Sequence, residues 1–548
     1  MRRLLAHLCC SLLLVFAFSV RLSAEELPNT TQELAEQIDA LMRQKFDEVE
    51  LTPAPLVNRT TDFRRLSLVL AGRIPTVSEV RSLVDSPTPP SRQELIEQLM
   101  NEPGYVNTLV RWWRFTLIPR NDLEPQVQNR MAGLYEWLRD QVLTHATADE
   151  IVSQLLATPQ NQAALQAGNG NQIRPDATVD AYFQAYALES PQLATAAARS
   201  FLGQRIDCAQ CHDDPFEPWT QDDFWQFTAL FDQLPPGPSE ASLQANTGTI
   251  TIPETDRVVK GRYLNATEEL PDLGQSRQQL ARWLVSADNP YFAKTMANRV
   301  WGHVFGRGLI DPLDDLGTTN STDHPQVLQL ISKTLVAWDY DLDRLIEALV
   351  LTEAFQRSSS WEGDDPPADS LFAKAVIRPM SGEQLWSSLG IAIGYTTPLS
   401  NRELTGFVVG QNDAMSDFFT KFTSGPVRMR DAEATIQQAL QMMNGEMVAR
   451  STTFGPLSSA GGNRMERPAG PRPQNYEAML LLGVLSFPGF DTSQRLDVLY
   501  YSTLSRKPEA EERERFLDYL NQAESERSSA WTDIYWVLLN SAEFRFIY

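Results

Sequence analysis

The chain has 548 residues, 42% of them hydrophobic, and a formal net charge of −23. That length supports two or three domains with sizeable cores. So acidic a surface repels nucleic acid and anionic lipid and argues against either as a partner.

The N-terminus comes first. Met1-Arg2-Arg3 is basic, Leu4 to Val20 is apolar, and Leu22-Ser23-Ala24 places a small residue before Glu25. This order predicts a secretory signal peptide over 1–24, cleaved after Ala24, with an uncleaved anchor as the alternative. The expected product is exported to the periplasm or cell envelope and has no transmembrane helix. Cys9 and Cys10 leave with the leader, so the mature chain keeps only Cys208 and Cys211.

Most of the mature chain reads as helix. Leu34, Ile38, Leu41 and Met42 mark one helix face over Thr31 to Asp47. Ser91-Arg-Gln-Glu94 is a capping box opening "ELIEQLM". Residues 159–177 form a Gly/Asn/Gln-rich loop. Ser190-Pro191 opens a helix to about Leu202, and Thr220-Gln-Asp-Asp223 caps another, "FWQFTALF". Residues 233–275 turn rich in Pro, Gly, Ser and Thr, with "GTITIP" and "RVVKGRYL" as short strands. Helical patterning resumes at "SRQQLARWLV" and "YFAKTMANRVWGHVFG", with two more helices after His324-Pro325. Residues 452–474 read as a Gly/Pro-rich linker or disordered loop.

The predicted fold is therefore mainly α, a multi-helix two-domain protein with a short Pro/Gly-rich, partly β connection. Its divisions are 1–24, 25–232, 233–275 and 276–548. A weak echo joins "LSLVLAGRIPTVSEVRSLV" to "LYYSTLSRKPEAEERERFL", read as a recurring helix-turn-helix packing unit.

Cys208-Ala-Gln-Cys211-His212 concentrates the chemistry. A c-type haem needs two thiols for thioether bonds to the porphyrin and a histidine beside the second to ligate iron, and this motif supplies all three. A disulfide, favoured by an oxidising compartment, is a second chemistry. Zinc held by the thiolates with His212 or His303 is a third, although adjacent Cys211 and His212 make joint ligation awkward. No G-x-S-x-G elbow, glycine-rich phosphate loop or H-E-x-x-H is present. Asp213-Asp214 and Asp314-Asp315 are paired acids expected to face solvent.

"DFRRLSLVLAGRIPTVSEV" and "FLGQRIDCAQCHDDPFEPWTQDDFW" resemble the planctomycete cytochrome-c-like domain, domain of unknown function 1549. "LARWLVSADNPYFAKTMANRVWGHVFGRGLIDPLDDLG", "HPQVLQLI" and "LIEALVLTEAFQRSS" are similar to its usual companion, domain of unknown function 1553. The resemblance covers nearly the whole mature chain and implies an exported, largely helical protein with a c-type haem motif. It implies no settled reaction. One departure is Asp214, where the family often has a second histidine.

His303 matches a family histidine and is a candidate for the opposite haem face, or else a core or capping histidine near Gly306. Met296, seven residues earlier on the same face, is the thioether alternative or a packed core residue. Arg205 is a candidate partner for a haem propionate or a surface salt bridge. Trp219, Phe224, Trp225 and Phe231 would wall a porphyrin or pack as core. The expectation is one covalent haem c at Cys208 and Cys211, ligated by His212, with zinc or no cofactor as the alternative. The function expected is electron transfer or an associated redox reaction with a redox or envelope partner protein. The alternative is a cell-envelope scaffold or polysaccharide-associated protein, its cysteines forming a disulfide or zinc site.

Overall fold

The computed structural model describes residues 27–119, 125–157, 180–231, 248–268, 270, 276–286, 289–394, 418, 422, 436–445, 489–523 and 527–548. The leader, the 159–177 loop and the 452–474 linker lie outside the described residues.

The protein is mainly α-helical. The first segment contains α1 (Thr31–Glu48), α2 (Arg59–Leu66), α3 (Val77–Val84), α4 (Arg92–Met100), α5 (Pro103–Leu117), α6 (Pro125–Leu143) and α7 (Ala148–Ala157). It closes with α8 (Asp180–Ala185), α9 (Ser190–Ala197) and α10 (Gln221–Thr228). Strands β1 (Thr249–Thr251) and β2 (Val258–Lys260) pair antiparallel in the connection. Then come α11 (Ser276–Leu284), α12 (Phe292–Phe305), α13 (Pro325–Ala337), α14 (Leu342–Leu351) and α15 (Glu353–Gln356). Strand β3 (Arg378–Pro379) precedes α16 (Gly382–Ala392) and α17 (Ile436–Asn444). The end holds α18 (Thr492–Thr503), α19 (Ala510–Gln522), α20 (Arg527–Asn540), α21 (Ala542–Arg545) and β4 (Phe546–Ile547), which pairs with β3.

Local chemistry sets these boundaries. Thr30 and Glu33 close a capping box on α1, which buries Leu34, Ala35, Ile38, Met42 and Phe46 as one stripe. Ser91 and Glu94 do the same for α4, and Thr220 and Asp223 for α10. Both α2 and α9 widen into a π turn, Ser67–Ala71 and Ala198–Leu202, each ended by a left-handed glycine, Gly72 and Gly203.

One hydrophobic cluster runs from Leu34 to Ala373 and takes side chains from both sides of the connection. Helix α12 lies within it, packing on α13, α14 and the 198–202 turn. A second cluster joins Leu68 and Ile74 of the first segment to residues from Met380 to Ile547. The echo seen in the sequence has a physical counterpart. Arg73 binds Glu79 and Glu102, each at 2.7 Å, and Arg506 binds Glu512 and Glu543, each at 2.7 Å. In both units the arginine precedes a capped helix, and α3 packs against α18. Among the described residues no helix is long and apolar enough to cross a membrane.

Candidate functional site

The motif follows α9 through a backbone turn that requires glycine. Gly203 has φ +60°, and a Cβ there would lie 2.9 Å from both Leu316 Cδ1 and Thr295 Oγ1. Its carbonyl accepts from the Leu316 N–H at 2.7 Å, so the second segment touches the chain five residues before Cys208. A single 3₁₀ turn, Asp207–Gln210, then carries the first cysteine. Ala209 is buried beneath it, while Cys208, Cys211 and His212 are all exposed. Both thiols are free.

The backbone under the motif is held from α10. Trp225 Nε1 donates to the Gln210 carbonyl at 3.1 Å, and Gln221 Nε2 donates to the Cys211 carbonyl at 3.0 Å. His212 Nδ1 lies 2.8 Å from the Asp213 carbonyl. A carbonyl only accepts, so Nδ1 carries a proton, and in the neutral ring Nε2 then keeps its lone pair.

The two acids after His212 shape the loop. Asp213 Oδ1 accepts from Gln221 N at 2.9 Å; Asp214 Oδ1 accepts from Phe216 N and Glu217 N at 2.9 and 3.1 Å. Asp214 thus serves as a turn-forming carboxylate. The turn leaves Phe216 77% exposed beside the motif.

A loop of the second segment grips this surface. Glu217 accepts from the N–H and hydroxyl of Thr318 at 3.0 and 2.9 Å, and from those of Thr319 at 3.2 and 3.2 Å. Partial burial works to raise its pKa, but these bonds outweigh burial and hold the carboxyl below its ordinary value. Arg205 binds Asp314 at 2.9 Å and Asp315 at 3.4 Å, and Arg199 binds Asp207 at 2.7 Å and Asp314 at 3.6 Å. Burial opposes ionisation of Asp314, yet Arg205 first, then Arg199 and Arg299, pull its pKa down. The Asp314-Asp315 pair expected to face solvent is therefore the counter-ion of the motif's own flank. Arg205 is engaged by these acids.

The remaining sequence candidates pack against other side chains. Trp219, Phe224, Trp225 and Phe231 are buried in the main core. Met296 is fully buried there as well. His303 packs its ring edge-on to Trp112, with centroids 6.5 Å apart. Burial, followed by the charges of Arg378 and Arg111, pushes its pKa down to about 3. Helix α12 meets the chain ahead of the motif at Gly203, through Thr295. Among the described residues no group of three or more His, Cys, Asp or Glu side chains is arranged to hold a metal ion.

Two exposed thiols and an imidazole, all on one tethered loop, are the donor types that a covalent haem would need. Sequence reasoning named these three residues but missed Arg199, Glu217, Thr318 and Thr319. Glu217 meets Thr318 and Thr319, and Arg199 meets Asp314, across a hundred positions or more, and no local pattern announces those pairs.

The family model for protein of unknown function DUF1549 (PSCyt2) matches residues 37–235. That for protein of unknown function DUF1553 (PSD1) matches residues 276–406. No curated protein and no solved structure matches the chain.

Proposed function

From a chain that belongs to the family joining a DUF1549 domain to a DUF1553 domain, we propose an exported c-type haem protein working in electron transfer. Cys208 and Cys211 hold the haem and His212 ligates its iron through Nε2. Haem bound there supplies a one-electron redox centre. The observation that carries this reading is the joint exposure of both free thiols and His212 on a loop whose backbone is fixed from below. An exposed, held pair of thiols suits capture of haem from outside. The basic and apolar leader supports delivery to the compartment where such attachment occurs.

The test is expression with its leader alongside the haem-attachment machinery. A red product with a Soret band and a pyridine haemochrome spectrum, lost in the Cys208→Ala/Cys211→Ala double variant, is expected. A folded, exported and colourless protein would reject the proposal.

The free, exposed state of the same thiols also favours a second reading. In it the pair closes as a disulfide within an envelope scaffold. Exported protein whose mass is two hydrogens below the reduced value, with no haem added, is the result that selects it.

A further inference from the structure

Phe216 is the most exposed large apolar side chain among the described residues, at 77%. It stands on the same loop as the exposed Cys208, Cys211 and His212, with exposed Pro215 before it and exposed Pro218 two positions after.

A single exposed apolar residue is ordinary on a surface. Phe216 differs because the backbone beneath it is fixed. Its N–H is held by Asp214 Oδ1 at 2.9 Å, and the Glu217 N–H reaches the same oxygen at 3.1 Å. The Asp214 N–H donates to the Trp219 carbonyl at 2.9 Å, and Trp219 is buried in the main core. The Glu217 carboxylate is pinned by Thr318 and Thr319. The 214–219 tip therefore presents its aromatic ring with little backbone freedom left to lose on contact.

The charges around the ring narrow what fits it. Residues 207–223 carry six carboxylates and no lysine or arginine. Three of the six are matched by arginines, Asp207 by Arg199, Asp222 by Arg257 and Asp223 by Arg262. The other three, Asp213, Asp214 and Glu217, accept only from backbone N–H groups and threonine hydroxyls. They are also the three nearest Phe216 in the chain. An apolar tip bordered by uncompensated carboxylates repels anionic lipid, nucleic acid and a second copy of a chain whose net charge is −23. It complements an apolar surface framed by lysine or arginine.

We propose that Phe216 anchors a docking site for a protein partner presenting an apolar surface bordered by lysine or arginine. Asp213, Asp214 and Glu217 steer that partner, and the ring supplies the buried contact. The site shares its loop with the thiols and His212, so a docked partner sits beside them. The surface exists without haem, and the proposal stands whether or not the thiols carry one.

The test uses the exported, haem-free protein and two short helical peptides with the same leucine pattern. One has lysine at its polar positions and the other glutamate. Fluorescence anisotropy at low salt measures binding, and amide exchange locates it. The lysine peptide is expected to bind saturably, to protect residues 213–219, and to weaken as salt is raised. Phe216→Ser should weaken it about tenfold. Asp213→Asn, which keeps the acceptor for the Gln221 N–H, should weaken it less. Leu143→Ser, at another exposed apolar residue on α6, should leave it unchanged. The glutamate peptide should not bind. The proposal is overturned by absence of saturable binding, by protection confined to other residues, by equal weakening from Leu143→Ser, or by equal binding of the glutamate peptide. Adsorption to neutral phosphatidylcholine vesicles that Phe216→Ser abolishes would make the ring a membrane anchor instead. A Soret shift caused by Phe216→Ser in haem-loaded protein would make it a wall of the haem pocket, and either result overturns the docking site.

Discussion

Glu217 and Thr318 join the motif loop to the second segment through two hydrogen bonds on one carboxylate oxygen, at 3.0 and 2.9 Å. The other oxygen is filled by Thr319. Gly317 keeps room for this arrangement, since a Cβ there would lie 2.5 Å from Glu217 Oε1. With Arg205 on Asp314, the contact makes the 314–319 loop a splint for the residues around Cys208 to His212.

Loosening that splint should be visible without any cofactor. Glu217→Gln removes the charge that strengthens four hydrogen bonds, and Gly317→Ala pushes the carboxylate out of place. Each is expected to cost about 1–2 kcal/mol and to speed amide exchange across residues 213–219. Exchange unchanged in both variants would show that the loop holds its shape alone.

The two candidates for the opposite face of haem iron are predicted to be spectators. Met296 is fully buried in the core and His303 packs against Trp112. In haem-loaded protein, His303→Ala and Met296→Ala should therefore leave the iron spin state and Soret position as they are, although Met296→Ala should cost about 2–5 kcal/mol as a core truncation. A change of spin state in either variant would place that residue at the iron.

Arg64 ties the first segment to the chain's end. It is 2% exposed and donates to the carbonyls of Thr503, Glu543 and Phe544 and to the Ser505 hydroxyl, at 2.8 to 3.2 Å. Arg64→Met strands these buried acceptors and is expected to cost about 3 kcal/mol or more. Denaturant unfolding measures the loss, and faster exchange in α18 and α21 locates it.

Acid stability should carry two opposed signatures. His303 has its pKa held at about 3 by burial, against an ordinary 6.5. Between those values the unfolded chain binds the extra proton, so stability falls as pH drops through the window. Asp39 is raised from 3.8 to about 6, by burial first and then by the Glu353 charge, against the opposing Glu353 N–H bond. There the folded chain binds the proton, and acidification from about 6 to 3.8 adds stability. His303→Gln should therefore flatten the acid loss and Asp39→Asn should steepen it, as read from melting temperature against pH. The reverse order would contradict both assignments.

Much of this protein was legible from the chain alone because the deciding forces act over a few residues. The capping pairs at Ser91 and Thr220, the apolar stripe of α1 and the short strands at 249–251 and 258–260 all appear where local pattern put them. The motif was legible for the same reason, since its three donors span five positions. The echoed units were visible too, and each holds an ion pair six residues apart that the structure adds, Arg73 with Glu79 and Arg506 with Glu512. Tertiary structure alone decided what surrounds those donors. Arg205 meets Asp314 across 109 residues, and Glu217 meets Thr318 across 101. An arginine and an acid in an acidic chain carry no mark of which partner they will find, because an ion pair depends on distance in space. The same holds for the surroundings of His303 and Met296. Spacing put them on one helix face, and only the packing of α12 into a core shared by both segments decided that Met296 is buried and that His303 meets Trp112.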